Sequence, residues 1–288
     1  MNLPLFTTPN ELSHYLQSHR SQSIGFVPTM GALHLGHQSL IDRARRENTL
    51  AIVSIFVNPL QFGANEDLDS YPRQLEIDRV ICQTAGVDAL FVPTPVSMGI
   101  KDTLTQVMPP PMMMSGLCGA TRAGHFQGVA TIVAKLLNIV QPDRAYFGEK
   151  DAQQLAIIRR IVADLNLPID IVGCPTLRAE SGLAHSSRNQ YLSPIGRSQA
   201  AIIYRSLQQA QKLADLQEVN TEKLLAAVTT ELSTVPEFQL EYLELVDPHT
   251  LQPIESFDRL ALLAIAGRIE NTRLIDNIIL GDQRSRVV

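Results

Sequence analysis

Two histidines, three residues apart, carry the first chemical signal in this chain. His34 and His37 stand in Pro28-Thr-Met-Gly-Ala-Leu-His-Leu-Gly-His37, directly after a run with strand character and directly before a helical one. In an open parallel sheet such a junction lies at the carboxyl ends of the strands, where ligands bind. Gly31 and Gly36 let the backbone come close to a phosphate. The helix that follows aims its first N–H groups and the positive end of its dipole at the same place. One histidine there would read as a side chain satisfying turn carbonyls. A His-x-Gly-His pair between strand and helix points instead to a nucleotide site.

The elements that must position this pair follow from periodicity and capping. Thr8-Pro9-Asn10-Glu11 is a capping box with Pro at the first helical position, predicting a helix to about residue 19. Strand-like runs are expected at 23–28, 51–57, 88–92, 143–147 and 169–173, and helices at 37–47, 73–85, 127–140 and 152–165. Helix 127–140 is apolar almost all round, so it is expected to be buried on several sides. Strands apolar on both faces and alternating with helices imply a parallel sheet covered on both sides. The pattern then changes. Helices at 194–216 and 221–232 precede strands at 239–246, 260–266 and 272–277. The expected fold class is therefore α/β, with a Rossmann-type parallel sheet in an N-terminal domain (1–176) and a smaller α+β C-terminal domain (177–288). The prolines of Met108-Pro-Pro-Pro-Met-Met-Met114 predict a loop or edge segment there.

Composition excludes several kinds of partner. The 288 residues carry a net charge of −5, less basic than a chain that neutralises many phosphates of a nucleic acid. No apolar run approaches the roughly 18 residues of a membrane span. The N-terminus has no basic segment followed by an apolar one, so no secretory leader is expected. Cys82, Cys118 and Cys174 are odd in number and lack C-x-x-C spacing. Neither a disulfide framework nor a cysteine zinc site is expected, and reduced thiols in the cytoplasm are.

Three more segments follow strands and can reach the same crevice. They are Asn58-Pro-Leu-Gln-Phe62, then Gly148-Glu-Lys-Asp151 with Gln153-Gln154, and Ser181-Gly-Leu-Ala-His-Ser-Ser-Arg-Asn189. Singly, a Glu-Lys-Asp run reads as a solvated turn and Ser-Ser-Arg as a polar loop. The His-x-Gly-His element resembles the HIGH-type signature of the adenylyl-transferring superfamily. Together with Phe56-Val-Asn-Pro59, Tyr71-Pro-Arg73, Arg122-Ala-Gly-His-Phe126 and Leu274-Ile-Asp-Asn277, the set closely resembles the pantoate–β-alanine ligase (pantothenate synthetase) family, over about residues 6–277.

That resemblance implies a two-step ligation. ATP and pantoate form pantoyl adenylate and pyrophosphate, and the amine of β-alanine then displaces AMP to give pantothenate. It also implies a homodimer with a C-terminal lid. The resemblance assigns ATP contacts to Met30, Gly31, Ala32, Leu33, His34, Leu35, Gly36 and His37, to Gly148, Glu149, Lys150 and Asp151, and to Leu177, His185, Ser186, Ser187 and Arg188. His37 and His34 take catalytic roles, with His37 the proton donor, and Lys150 stabilises developing phosphate charge. Gln61 and Gln154 match the pantoate-binding amides, Gln61 also the β-alanine contact. An amide orients a carboxylate nucleophile without the ground-state stabilisation an arginine would add. Mg²⁺ is expected to arrive with the triphosphate. Asp78 and Asp151 could touch it or be ordinary helix and turn carboxylates, so no metal ligand is assigned.

The chain departs from the family pattern at His185, where Met or Leu is usual, at 96–102, which lacks a Tyr-Pro, and in the 109–114 stretch. With no Gly-x-x-x-x-Gly-Lys loop, no kinase is expected in this sequence, although some relatives carry one. The alternatives are a nucleotidyltransferase acting on a phosphorylated substrate, a fragment of a class I aminoacyl-tRNA synthetase, and a nucleotide sensor.

Overall fold

The computed structural model describes residues 3–64, 66–100, 104–215, 220–255 and 260–281. Residues 101–102 of the atypical loop, Leu216 at the end of an expected helix and the 282–288 tail lie outside the described residues. In chain order the strands are β1 (Leu5–Phe6), β2 (Ile24–Thr29), β3 (Leu50–Ile55), β4 (Ala89–Phe91), β5 (Arg144–Gly148), β6 (Asp170–Cys174), β7 (Gln239–Val246), β8 (Ala261–Ile269) and β9 (Thr272–Leu280). The helices are α1 (Pro9–Gln17), α2 (Leu35–Glu47), α3 (Leu75–Thr84), α4 (Pro111–Met114), α5 (Cys118–Thr121), α6 (His125–Val140), α7 (Ala152–Asp164), α8 (Pro194–Ala200), α9 (Ile202–Asp215) and α10 (Thr221–Leu232).

The backbone divides into two compact units. The first comprises 1–110, 122–149 and 157–175; the second comprises 111–121, 150–156 and 176–288. The first holds a six-stranded, wholly parallel sheet in the order β1-β4-β3-β2-β5-β6. The two-residue edge strand β1, absent from the periodicity, docks beside β4 because its backbone groups complete the ladder. Without it the strands run 3-2-1-4-5 in order of appearance, the doubly wound arrangement. Sequence order reverses between β2 and β5, so the switch point lies there. β3 is buried at every position and β2 at all but one, as strands covered on both faces must be. The core on one face joins Val27, Val53 and Leu90 to Leu40, Ile41 and Ala44 of α2.

α1 is held by the expected box: the Thr8 hydroxyl accepts from Glu11 N–H at 3.3 Å, and the Glu11 carboxylate from Thr8 N–H at 3.0 Å. α6 is buried along most of its length, as its all-round apolarity predicts. α2 begins two residues earlier than periodicity indicates, because His34 caps it.

The second unit carries the antiparallel sheet β7-β8-β9, with α8, α9 and α10 supplying much of the remaining core. β8 and β9 each outrun the apolar pattern by three residues. Backbone pairing continues past Ala266 and Asn277, up to Ile269 opposite Thr272 and Leu280 opposite Ala261. The helix expected over 194–216 divides at Ala201, whose N–H bonds to Ser198 rather than one residue further back, tightening the turn. The 109–114 stretch is not all loop. Pro111 opens the four-residue α4, where a missing N–H costs nothing.

Candidate active site

Because the first unit's sheet is parallel, the segments leaving β2, β3 and β5 emerge from one edge, and these three strands are neighbours. The Met30–His37 turn, the Asn58–Gln61 turn and Gly148-Glu149 therefore share that edge, on either side of the switch point.

The β2 turn is held by hydrogen bonds that the sequence does not reveal. Gly31 and Ala32 are left-handed (φ 82° and 51°). A Cβ on Gly31 would stand 3.0 Å from both an Asp78 oxygen and the Ile55 side chain. Asp78, on α3 and 1 % exposed, accepts from Ala32 N–H at 2.9 Å and Leu33 N–H at 2.8 Å. Each of its oxygens thus accepts from the turn, and Asp78 braces the site. Thr29 ties the end of β2 to β3 by donating to Ser54 O at 2.8 Å, and accepts from Gly31 N–H at 3.1 Å.

The histidine pair forms a cap. His34 is the N-cap of α2, its Nδ1 accepting from Gly36 N–H at 3.1 Å. His37, in the first turn, accepts at Nδ1 from His34 N–H at 3.4 Å. The rings lie 4.0 Å apart, tilted by 37°. With each Nδ1 accepting from an amide, the proton of each neutral ring resides on Nε2. Both rings thereby become Nε2–H donors at a helix N-terminus.

Gln61 lies in a short 3₁₀ turn, Pro59–Gln61, next to Met30. Its Nε2 is 3.1 Å from Met30 Sδ, and its Oε1 accepts from Asn58 Nδ2 at 3.0 Å. Helix α6 presses on this turn. Gly128 is the only residue type that fits, since a Cβ there would lie 2.1 Å from Leu60 O. Asn58 Nδ2 donates to Gly128 O at 3.1 Å. The Gln61 carbonyl meets His125 Nδ1 at 2.8 Å and an Arg122 Nη at 3.3 Å, and Arg122 is paired with Glu66 at 2.6 Å. That pair holds the Glu66 carboxyl below its ordinary value, chiefly through the Arg122 hydrogen bonds. The Arg122-Ala-Gly-His-Phe126 motif thus serves the Gln61 turn.

The second unit carries the other candidates. Lys150 is mostly buried, its ammonium 4.0 Å from the Asp151 carboxylate. Gln154 is half-buried on the first turn of α7. Its neighbour Gln153 is spent on structure, accepting from Cys118 N–H and donating to Met113 O and Gly116 O, each at 3.0 Å. Leu177 and His185 are brought together as partners in a hairpin stem, His185 N–H donating to Leu177 O at 3.0 Å. Ser186 caps the turn Ser187–Tyr191 by accepting from Arg188 N–H at 3.3 Å. Sequence reasoning missed the residue that holds this hairpin, Arg178, which pairs with Asp276. The ends of that pair lie far apart in sequence and carry no local signal.

Cys82, Cys118 and Cys174 are buried free thiols. Burial pushes Cys82 up to about 12. Among the described residues no helix is long and apolar enough to cross a membrane, and no group of three or more His, Cys, Asp or Glu residues could hold a metal ion.

Fold and strand-tip segments define a doubly wound α/β protein with its candidate chemistry at the carboxyl edge of the sheet. More narrowly, the chain belongs to the pantoate–β-alanine ligase family, whose model matches residues 4–279. A pantothenate synthetase from Thermus thermophilus is similar in structure (TM-score 0.91, 48 % identity), with 96 % of this chain and 99 % of that one covered. A pantoate-β-alanine ligase from Francisella tularensis, complexed with β-γ ATP and β-alanine, matches with TM-score 0.80 at 36 % identity, covering 96 % and 97 %. In sequence, a bifunctional pantoate ligase/cytidylate kinase of Trichormus variabilis is 58 % identical over 268 residues, covering 91 % of this chain and 50 % of the relative. Its counterpart in Trichodesmium erythraeum is 52 % identical over 298 residues, covering 97 % and 56 %. The chain spans about half the length of the curated relatives it matches.

Proposed function

We propose that this chain joins pantoate to β-alanine at the expense of ATP, through pantoyl adenylate. A pantoate carboxylate oxygen attacks the α-phosphorus, the bond to the β-phosphate breaks, and pyrophosphate leaves. The β-alanine amine then attacks the acyl carbon, the acyl–phosphate bond breaks, AMP leaves, and the nitrogen gives up a proton. The observation that carries this is the family match over 4–279, a span containing every residue named below.

In this scheme the β2 turn and the N-terminus of α2 receive the phosphates. His34 and His37 offer Nε2–H groups, and His37 gives its proton toward the charge that develops as the α-phosphorus is attacked. Lys150, with Arg188 as a second cation and Gly148, Glu149 and Asp151 beside it, contacts the same nucleotide; Leu177, the backbone of His185, and Ser186 and Ser187 complete its contacts. Gln61 and Gln154 orient the attacking carboxylate, and the support for Gln61 is its firmly held backbone beside Met30. Mg²⁺ enters with ATP as part of the substrate, keeping much of its water. We also infer a homodimer in the cytoplasm, with 1–176 the nucleotide domain and 177–288 a lid; no membrane or nucleic-acid partner is needed.

The test supplies ATP with pantoate and β-alanine, separately and together. Pyrophosphate release that needs pantoate, and AMP release that needs both acids, is the expected result. Pyrophosphate formed without pantoate would sink the assignment in favour of transfer to another acceptor.

A further inference from the structure

The Leu274-Ile-Asp-Asn277 motif has no part in the chemistry above, yet its last two residues reach the two segments of the second unit given to the nucleotide. Asp276 is 4 % exposed, and its two oxygens accept from the two Nη atoms of Arg178 at 2.5 and 2.9 Å. Arg178 also donates to Gly182 O at 3.2 Å and lies 3.8 Å over the Tyr204 ring. Its hairpin is closed by Ala179 N–H to Leu183 O at 2.9 Å and His185 N–H to Leu177 O at 3.0 Å. A grip on Arg178 is therefore a grip on the stem from which Ser186, Ser187 and Arg188 emerge. The next residue, Asn277, donates its amide to Lys150 O at 2.8 Å.

Resting on the reading that Lys150 and the 185–188 segment act on ATP, we propose that Asp276 and Asn277 are positioning residues: one strand, β9, tethers both the Lys150 turn and the 177–185 hairpin. A lysine ammonium sits on a flexible four-carbon stem, so fixing its backbone carbonyl is the economical way to limit where the charge stands. The Arg178–Asp276 pair is mostly buried, and a buried ion pair adds little stability over an apolar replacement of the same shape. What it supplies is geometry: two parallel hydrogen bonds fix an orientation as well as a distance. Asp276 also neutralises Arg178.

The test uses the full chain and four substitutions: Asn277→Ala, Asn277→Ser, Asp276→Asn and Lys150→Ala. Misplacing a catalytic group by about 1 Å costs on the order of 100-fold, so Asn277→Ala is expected to slow single-turnover adenylate formation about 10- to 100-fold while leaving the KM for ATP nearly unchanged. On a Lys150→Ala background the same substitution should have little further effect, because it acts through the lysine. Asp276→Asn should act mainly on the KM for ATP. Hydrogen exchange provides a readout independent of turnover: amides at 148–152 should exchange faster in the Asn277 variants, and those at 177–188 faster in Asp276→Asn. Asn277→Ser, the smaller perturbation, stands in if the alanine variant does not fold. An equal slowing by Asn277→Ala with and without Lys150, or unchanged exchange at 148–152, would overturn the proposal. Faster exchange in a chain that turns over no ATP would support the tether and overturn the proposed reaction instead.

Discussion

At the residue scale, the roles divide between groups that meet charge and groups that aim them. Lys150 has a mostly buried side chain whose ammonium stands 4.0 Å from the Asp151 carboxylate, a loose pairing. Removing one donor to a developing oxyanion costs about 100- to 1,000-fold in rate, so Lys150→Ala should slow adenylate formation by that order while pantoate affinity changes little. Single-turnover kinetics with an unchanged chemical step would exclude the assignment. Gln61 donates toward the soft Met30 sulfur and accepts from Asn58. Replacing the sulfur contact by a carboxylate would gain a charge-assisted bond of about 1.5–3 kcal/mol, so Gln61→Ala should lower kcat/KM for both half-reactions by about 10- to 100-fold. A normal rate of aminolysis by β-alanine in that variant would remove Gln61 from the second step. The histidines show what spacing alone conveys. His-x-Gly-His at a strand–helix junction marks a candidate phosphate site. That each ring accepts at Nδ1 and so donates at Nε2 is set by cap geometry, which spacing does not report.

At the element scale, the site depends on three strand tips and on the helices that press against them. Local signals served well where the physics is local. The Thr8/Glu11 box starts α1, and Pro194 behind Ser193 starts α8. They failed where the partner is distant. Asp78 sits in the first turn of α3 and looks like any helix-start carboxylate, yet it holds Ala32 and Leu33, more than forty residues away in sequence. The same holds for Gly128, which inside an apolar helix looks like a weak point. Its absent side chain lets α6 lie directly on the Leu60–Gln61 backbone. Gly128→Ala would place a methyl group where a carbonyl stands. Overpacking of this kind costs about 1–3 kcal/mol and must displace the Gln61 turn. Chemical denaturation should register the loss, and the KM for pantoate should rise with it. A variant of unchanged stability and unchanged KM would show that α6 does not set the turn.

At the scale of the whole molecule, charge pairing also shapes stability. Glu66 and Arg122 form a mostly buried pair that also braces the Gln61 carbonyl. The Arg122 hydrogen bonds lower the Glu66 carboxyl from its ordinary 4.5. A group depressed in the folded state contributes stability that is complete above its unfolded value and is lost as pH falls through the folded one. Glu66→Gln should therefore cost about 1.5–3 kcal/mol near neutral pH, the range for hydrogen bonds to a charged group. The gap between variant and parent should close as pH drops below 4.5. A gap that stays constant across that range would refute the linkage, and urea unfolding at several pH values measures it. By itself, the sequence determined most of the longer strands and helices, that the first sheet is parallel, and which residue types are offered for phosphate and carboxylate chemistry. Those properties rest on periodicity, capping and motif order, all of which act over a few residues. Only the tertiary structure decided the strand order that sets the β2, β3 and β5 tips side by side, the Asp78 brace, and the Arg178–Asp276 and Lys150–Asn277 tethers. Each of these joins residues whose separation along the chain leaves no trace in local composition, because the free energy that pairs them exists only once the fold has brought them together.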